Sequence, residues 1–313
     1  MNVIYGIGRV KPVFTNPVLA IGVFDGVHRG HQALVRRTVQ RAKALNGEAM
    51  VMTFWPHPAH VLRPELKLRL ITTLSHRLGL LAELGVSTCV VIRFTRRFAR
   101  MSSEVFIERY LVGKIRPREV FVGDDFRFGA DRAGTLNFFR EAGRRFGFLV
   151  KTVPVVTASR QRQKIGSTLV RRLISEGRLA EARRLLGRPV SVVGTVAGGE
   201  RKGRLMGFPT VNIYPGKEVI PPLGVYAARI WIGRKMYGGM VNVGFCPSIK
   251  EFNKTAHIEA HLFDFHQKIY GREILIEFIR KIRQERVFES VDALVDQLRR
   301  DEQRARAILS QAA

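Results

Sequence analysis

Gly22-Val23-Phe24-Asp25-Gly26-Val27-His28-Arg29-Gly30-His31 is the stretch that decides the fold of this chain. Before it stands Val18-Leu19-Ala20-Ile21, an apolar run of strand length. After it, residues Gln32 to Val39 carry apolar side chains at helical spacing, so the spacing predicts a strand, a tight glycine turn and a helix start. Three glycines let the backbone turn sharply and approach a ligand, and the free N–H groups of a helix start favour an anion such as a phosphate. His28 and His31, three residues apart, fall on one side of that turn and can donate hydrogen bonds to charge developing on phosphate oxygens. An H-x-x-H pair is also half of a zinc site, and a loop histidine can simply be solvated. A zinc site needs further ligands, however, and the two cysteines, Cys89 and Cys246, are isolated, with no H-E-x-x-H or C-x-x-C.

Strands and helices alternate beyond this point. Residues 48–54 read as a buried strand ending at Trp55-Pro56-His57-Pro58, residues 73–84 as a helix, 86–94 as a strand, 102–112 as a helix capped by Ser102 or Ser103, and 119–123 as a strand. Such alternation predicts a parallel sheet with its ligand at the carboxyl ends of the strands. Gly123-Asp124-Asp125-Phe126-Arg127-Phe128-Gly129 follows one such end. Its polar and aromatic residues, Asp125 and Arg127 among them, suit a base or a flavin, and a plain turn accounts for them equally well. After a strand over 148–156 comes Ile165-Gly166-Ser167-Thr168-Leu169-Val170-Arg171, which opens a helix. Ser167 and Thr168 are natural caps there, and with Arg171 one turn on they can also hold a pyrophosphate.

The texture changes at Gly187-Arg188-Pro189. Six β-rich runs over 190–196, 210–214, 225–232, 240–243, 258–263 and 274–282 predict a small antiparallel barrel followed by a helix from Val291. Two domains result, 1–186 and 187–313, as a chain of 313 residues leads one to expect. Gly198-Gly199-Glu200-Arg201-Lys202-Gly203-Arg204 is glycine-rich and basic. It reads either as a cationic flap over a polyphosphate, through Lys202, Gly203 and Arg204, or as a mobile hairpin; it is no Walker loop, since the order of its residues is wrong and no helix follows. In the next segment Thr210 and Asn212 face one side of a strand by period-two alternation.

The net charge of +27 raises nucleic acid as a partner. The arginines nevertheless lie in scattered pairs such as Arg36-Arg37 and Arg299-Arg300, with no basic tail and no nucleic-acid motif, so solvated faces account for them and no specific nucleic acid is expected. Isolated cysteines, no secretory pattern at Met1 to Gly6 and no membrane-length apolar run lead to the expectation of a cytoplasmic protein without a membrane partner.

The opening stretch resembles the H-x-G-H signature of nucleotidyltransferases. The fuller string, including Gly22, Phe24 and Asp25, is similar to the adenylyltransferase half of bacterial bifunctional riboflavin kinase/FAD synthetases. Gly123 to Gly129 resembles the G-x-D/N-F-x-F-G segment of that family, and Ile165 to Arg171 its I-S-S-T-x-x-R phosphate clamp, with Gly166 in place of the first serine. Gly207-Phe208-Pro209-Thr210-Val211-Asn212 resembles the kinase motif G-F-P-T-A-N, whose threonine and asparagine help hold ATP-bound magnesium. The string from Ile258 to Phe265 resembles the strand whose glutamate, here Glu259, is the general base, with His257 at a place more often held by valine. The resemblance runs from about Ala20 to Asp301. It implies a Rossmann-like α/β adenylyltransferase domain and a β-barrel kinase domain. The kinase would turn riboflavin and ATP, with Mg²⁺, into FMN and ADP, and the transferase would turn FMN and a second ATP into FAD and pyrophosphate. Two other readings stay open at this level: a divergent member with one activity, suggested by Gly166, Val211 and His257, and a basic nucleic-acid-binding protein.

Overall fold

The structure is a computed structural model and describes residues 1–11, 13–154, 157–158, 163–198, 206–245 and 256–311. By contacts the chain divides into two compact units, one of residues 1–68 and 74–167, the other of 69–73 and 168–313.

In the first unit the strands are β1 (Asn2–Tyr5), β2 (Val18–Ile21), β3 (Ala49–Trp55), β4 (Thr88–Arg93), β5 (Glu119–Gly123) and β6 (Leu149–Val153). They form one sheet in the order β1-β4-β3-β2-β5-β6 with every pairing parallel, as the alternation of the sequence predicts. The helices are α1 (Arg29–Ala44), α2 (Pro58–Leu62), α3 (Leu74–Glu83), α4 (Arg96–Ala99), α5 (Ser103–Phe106) and α6 (Leu136–Phe146). Ser102 caps α5 by accepting from the Val105 N–H at 3.3 Å, but beyond Phe106 the helix widens to π spacing over Ile107–Ile115. Apolar side chains cover both faces of the sheet: Leu19, Ile21, Met50 and Val122 belong to one cluster, Val18, Ala20, Val51 and Phe121 to the other. A strand buried on both faces reads as an unbroken apolar run, which explains why Val18-Leu19-Ala20-Ile21 shows no alternation. β3 and β4 lie to one side of β2 and β5 and β6 to the other, so the strand order reverses between β2 and β5. In open α/β sheets the ligand crevice lies at such a switch point, outside the carboxyl ends.

A two-stranded antiparallel sheet, β7 (Thr157–Ala158) and β8 (Gln163–Lys164), precedes the helices α7 (Ser167–Ser175) and α8 (Leu179–Leu186). The second unit is a closed antiparallel barrel of β9 (Val190–Ala197), β10 (Val211–Ile213), β11 (Gly224–Ile232), β12 (Lys235–Phe245), β13 (Ala256–Leu262) and β14 (Glu273–Arg283), in the order β10-β13-β12-β11-β14-β9. β12 is longer than the apolar run at 240–243 predicts, since Gly238 and Gly239 pair with β11 and carry the ladder past the point where the sequence loses its apolar side chains. The last helix, α9 (Val291–Gln311), lays Ala305 and Ile308 on Val225, Ala227, Met240 and Ile282. It is fastened by Arg283, whose Nε donates at 2.8 Å to the buried Asp301.

Candidate active sites

The glycine turn leaves β2 at the switch point. Phe24 (φ 54°), Gly26 (φ 79°) and Val27 (φ 39°) all adopt left-handed backbone, which only the glycine takes without strain. A non-glycine residue held there costs about 1–3 kcal/mol, and such strain persists only where surrounding contacts over-determine it. Those contacts converge on Val23 and Asp25. The Val23 carbonyl accepts from Thr53 Oγ1 at 3.0 Å and from Arg77 Nη1 at 2.9 Å. The same Arg77, wholly buried, pairs with the buried Asp25 carboxylate at 3.5 Å, and its guanidinium lies 5.8 Å from the centroid of the Trp55 ring. One cation from α3 thus grips the turn on both sides of Phe24. Isolated in sequence, Arg77 carried no signal of this; its place in the fold alone brings it there.

The turn delivers His28 to the N-terminus of α1, where its Nδ1 accepts from the His31 backbone N–H at 3.3 Å. The neutral ring therefore carries its proton on Nε2. His28 and His31 stack with centroids 3.7 Å apart, and Phe24 meets His31 edge-on at 5.2 Å. A Cβ on Gly30 would come within 3.2 Å of the His28 ring, so the glycine there makes room for imidazole. His31 is partly exposed as a residue, but its Nδ1 is buried with no partner among the described residues. Burial, then the neighbouring His28 and Arg77, hold its pKa well below 6.5. The result is a pair of rings at a helix N-terminus, with His31 uncharged at neutral pH and able to act as a fixed dipole toward phosphate oxygens.

Ser167 joins this turn, its Oγ donating to the Asp25 carbonyl at 3.0 Å. Its single O–H hydrogen is thereby used to fasten the turn; Thr168 and Arg171 follow on α7. Gly166 has open space where a side chain would stand.

β5 is the hydrogen-bonded neighbour of β2, so the Asp125 to Phe128 loop leaves the sheet beside the glycine turn. Phe126 and Phe128 anchor it, stacking at 5.4 Å and packing on the buried Phe139, while Asp125 and Arg127 stay exposed. The two loops share a cavity of about 920 Å³ whose walls include Gly22, Val23, Asp125 and Arg127. Its apolar side is built by Phe54, Pro58, Leu62, Phe94 and Phe98, none of which the sequence marks as part of a site. A planar ring system fits such a wall. The prolines after Trp55 mark a loop but give no hint that it turns toward the switch point.

The barrel carries a second polar centre. Asn212 on β10 and Asn242 on β12 both stand opposite Glu259 on β13, so three polar side chains form a row across three strands. Ile258 and Ala260, pointing the other way, are fully buried. Met240 and Ala227, on the same face as the row, are covered by α9; the row itself is left open, with the Glu259 side chain 41% exposed. Glu259 Oε1 lies 3.1 Å from His257 Nε2, and Asn242 Nδ2 donates to Glu285 Oε1 at 3.3 Å. Phe208 is buried, and the Pro209 carbonyl is bound by His261 Nδ1 at 2.8 Å, which holds the segment leading into Thr210 against β13. Thr210 and Asn212 offer neutral oxygens beside the Glu259 carboxylate. Among the described residues no three acidic, histidine or cysteine side chains form a metal cage. This donor set fits magnesium, which keeps its waters and takes phosphate oxygens in preference to an all-protein cage. Lys202, Gly203 and Arg204 lie outside the described residues.

Of the cysteines, Cys89 is buried in β4 and its thiol is pushed up to about 12 by burial, which leaves it no part in either centre; Cys246 lies outside the described residues. No helix among the described residues is long and apolar enough to cross a membrane.

Comparison with known proteins matches two families along the chain. The FAD synthetase family model matches residues 11–169 and the riboflavin kinase model residues 186–309. A bifunctional riboflavin kinase/FMN adenylyltransferase of Escherichia coli K12 is 39% identical over 92% of this chain and 91% of its own length; that of Bacillus subtilis 168 is 34% identical over 95% and 93%. A crystal structure from Streptococcus pneumoniae, described as a macrolide-efflux protein, superposes with a TM-score of 0.85 at 31% identity, covering 98% of this chain and 99% of that one. Near-complete coverage at these identities, with both family models in order along one polypeptide, means that the chain belongs to the bifunctional riboflavin kinase/FMN adenylyltransferase family.

Proposed function

We infer that the two activities of this bifunctional enzyme, riboflavin to FMN and FMN to FAD, are divided between residues 187–313 and residues 1–186. The observation that carries this division is the existence of two separate polar centres, each within its own family match: the stacked His28/His31 pair and the Asn212–Glu259–Asn242 row.

In the first centre a phosphate oxygen of FMN attacks the α-phosphorus of ATP and pyrophosphate leaves. Gly22, Phe24 and Asp25 shape the turn. His28 and His31 donate to phosphate oxygens as charge develops, and the N-terminus of α1 adds its dipole. Thr168 and Arg171 are assigned to the departing pyrophosphate, and Ser167 fastens the turn. Asp125 and Arg127, with the aromatic wall beside them, take the ring systems of the nucleotide or flavin.

In the second centre Glu259 accepts the proton of the riboflavin hydroxyl as its oxygen bonds to the γ-phosphorus and ADP departs. Thr210 and Asn212 would hold Mg²⁺, which when bound neutralises phosphate charge; Lys202, Gly203 and Arg204 are assigned to the ATP phosphates. Substituting Thr210→Ala or Asn212→Ala is expected to raise the Mg²⁺ concentration needed for half-maximal FMN formation. An unchanged Mg²⁺ dependence in both variants removes them from the site.

The division is tested by incubating full-length protein with riboflavin, ATP and Mg²⁺ and separating the flavins. His31→Ala is expected to slow FAD formation by about 10²–10³, the cost of losing one such donor, so that FMN accumulates. Glu259→Gln is expected to slow FMN formation by about 10²–10⁴ while FAD formation from supplied FMN keeps its rate. Both activities falling together in either folded variant would sink the assignment.

A further inference from the structure

We propose that His257 is a positioning residue for the kinase step: it holds one oxygen of the Glu259 carboxylate so that the other faces the riboflavin hydroxyl. The inference rests on Glu259 being the base.

The two residues are i and i+2 on β13, so their side chains stand on one face of the strand. The 3.1 Å contact between His257 Nε2 and Glu259 Oε1 is attractive with an ionised carboxylate only when Nε2 carries the proton. The other nitrogen, Nδ1, is buried with no partner among the described residues. A buried N–H left without an acceptor is costly, so the neutral ring is the Nε2–H tautomer and presents its one donor to Glu259. The imidazole is itself held: its side chain is 12% exposed and the Tyr214 ring lies 6.5 Å away. Its register partner on β12 is Gly244, where a Cβ would press to 3.4 Å from the ring and to 2.6 Å from Glu285 Oε1. The missing side chain therefore makes room for both the imidazole and Glu285. Glu285 is meanwhile tied to Asn242 and does not take the histidine's donor among the described contacts.

Glu259 needs this support. Its side chain has several rotatable bonds and is 41% exposed, so on an open strand face it would sample many orientations. With Oε1 bound to His257, Oε2 is the oxygen left to receive the substrate proton. The histidine's own proton stays on Nε2 throughout, so its contribution is geometric, a matter of keeping the base within reach of the hydroxyl.

The test is a double-mutant cycle on FMN formation by the full-length enzyme. His257→Val is expected to lower kcat about tenfold, a part of the ~10²–10⁴ that a general base contributes, with the KM values for riboflavin and MgATP little changed. His257→Gln, whose amide can donate to the same oxygen, is expected to recover most of that loss. In a Glu259→Gln background, His257→Val is expected to have no further effect, because a residue acting through another is silent once the other is gone. FAD formation from supplied FMN and an unchanged circular dichroism spectrum report that the variants fold. An unaltered kcat in His257→Val, an equal loss in both backgrounds, or no rescue by glutamine overturns the proposal while leaving Glu259 as base. If Glu259→Gln itself turns over normally, the base assignment falls and this proposal with it.

Discussion

In the reading proposed above, the two centres solve the same problem, placing donors and acceptors around phosphorus, by opposite means. In the α/β unit the histidine pair hangs on a strained turn packed from beneath by buried charge: Asp25 is 1% exposed, His28 5% and Arg77 0%. In the barrel they stand on a regular antiparallel ladder, where register alone aligns Asn212, Glu259 and Asn242, and the carboxylate is open to solvent. Fixed dipoles aimed at a phosphate gain most where water is excluded and nothing has to reorganise. A base that must receive a proton from an arriving hydroxyl needs access instead. The first centre should therefore depend on residues buried well beneath it, and the second on the substrate-facing groups and their immediate neighbours such as His257.

Arg77 offers the harshest test of that contrast. Deleting one partner of a buried ion pair costs about 3–5 kcal/mol, and here the same side chain also holds the Val23 carbonyl. Arg77→Met is expected to lower the unfolding free energy of the α/β unit by that order, read from denaturant unfolding, and to slow FAD formation, with FMN formation retaining its rate. Arg77→Lys, which keeps the charge but not the fork, is expected to fall between. Equal stability of Arg77→Met and wild type would mean that the turn is held by other contacts and would erase the difference between the centres.

A milder probe is pH. In the unfolded chain the His31 ring takes up a proton near 6.5, whereas in the folded unit burial, His28 and Arg77 keep it unprotonated until well below that value. As pH falls through 6.5 the unfolded state alone binds this proton, so stability present above 6.5 is progressively lost until the folded pKa is reached. Thermal unfolding between about pH 8 and pH 5 should show a steeper acid loss for wild type than for His31→Asn, which has no proton to gain near a histidine's usual ~6.5. Parallel curves would show that His31 is not buried uncharged.

Much of this contrast is visible in the residues themselves. The unbroken apolar run before Gly22 marks a strand covered on both faces, and the alternation of His257, Glu259 and His261 with Ile258, Ala260 and Leu262 marks one with a single apolar face, whose polar face is covered only in part. The histidine pair and the Asp125 to Phe128 loop are legible because both follow strands, and a parallel sheet brings adjacent strand ends together. Arg77 is not legible: on α3 it looks like any solvated arginine of a chain rich in them, and only the path of α3 beneath the turn buries it. The aromatic wall of Phe54, Phe94 and Phe98 is hidden for the same reason, since its members come from the end of β3, the segment after β4 and helix α4, with no common spacing. The π-helical stretch after Phe106 also escapes, because its apolar residues fit α-helical spacing nearly as well.

The smallest effect expected concerns Gly166, and it sharpens what this residue and Ser167 do for the glycine turn. Ser167 gives its O–H hydrogen to the Asp25 carbonyl, so it fastens the turn rather than donating to a phosphate. The residue before it has no side chain, and nothing lies within 4 Å of where a Cβ would sit. Gly166→Ser therefore adds a hydroxyl at the mouth of the helix without a clash. If that hydroxyl caps α7, the exchange of glycine for serine at a cap is worth only about a few tenths of a kcal/mol, seen as a slight rise in melting temperature with unchanged kinetics. If instead it reaches the ATP phosphates, it restores a donor that Ser167 does not supply, and a net hydrogen bond of about 0.5–1.5 kcal/mol lowers the KM for ATP in FAD formation about two- to tenfold. The free space and the engaged Ser167 favour the second outcome. A raised KM would mean that the backbone at Gly166 itself approaches the nucleotide, and that the glycine is there to let it do so.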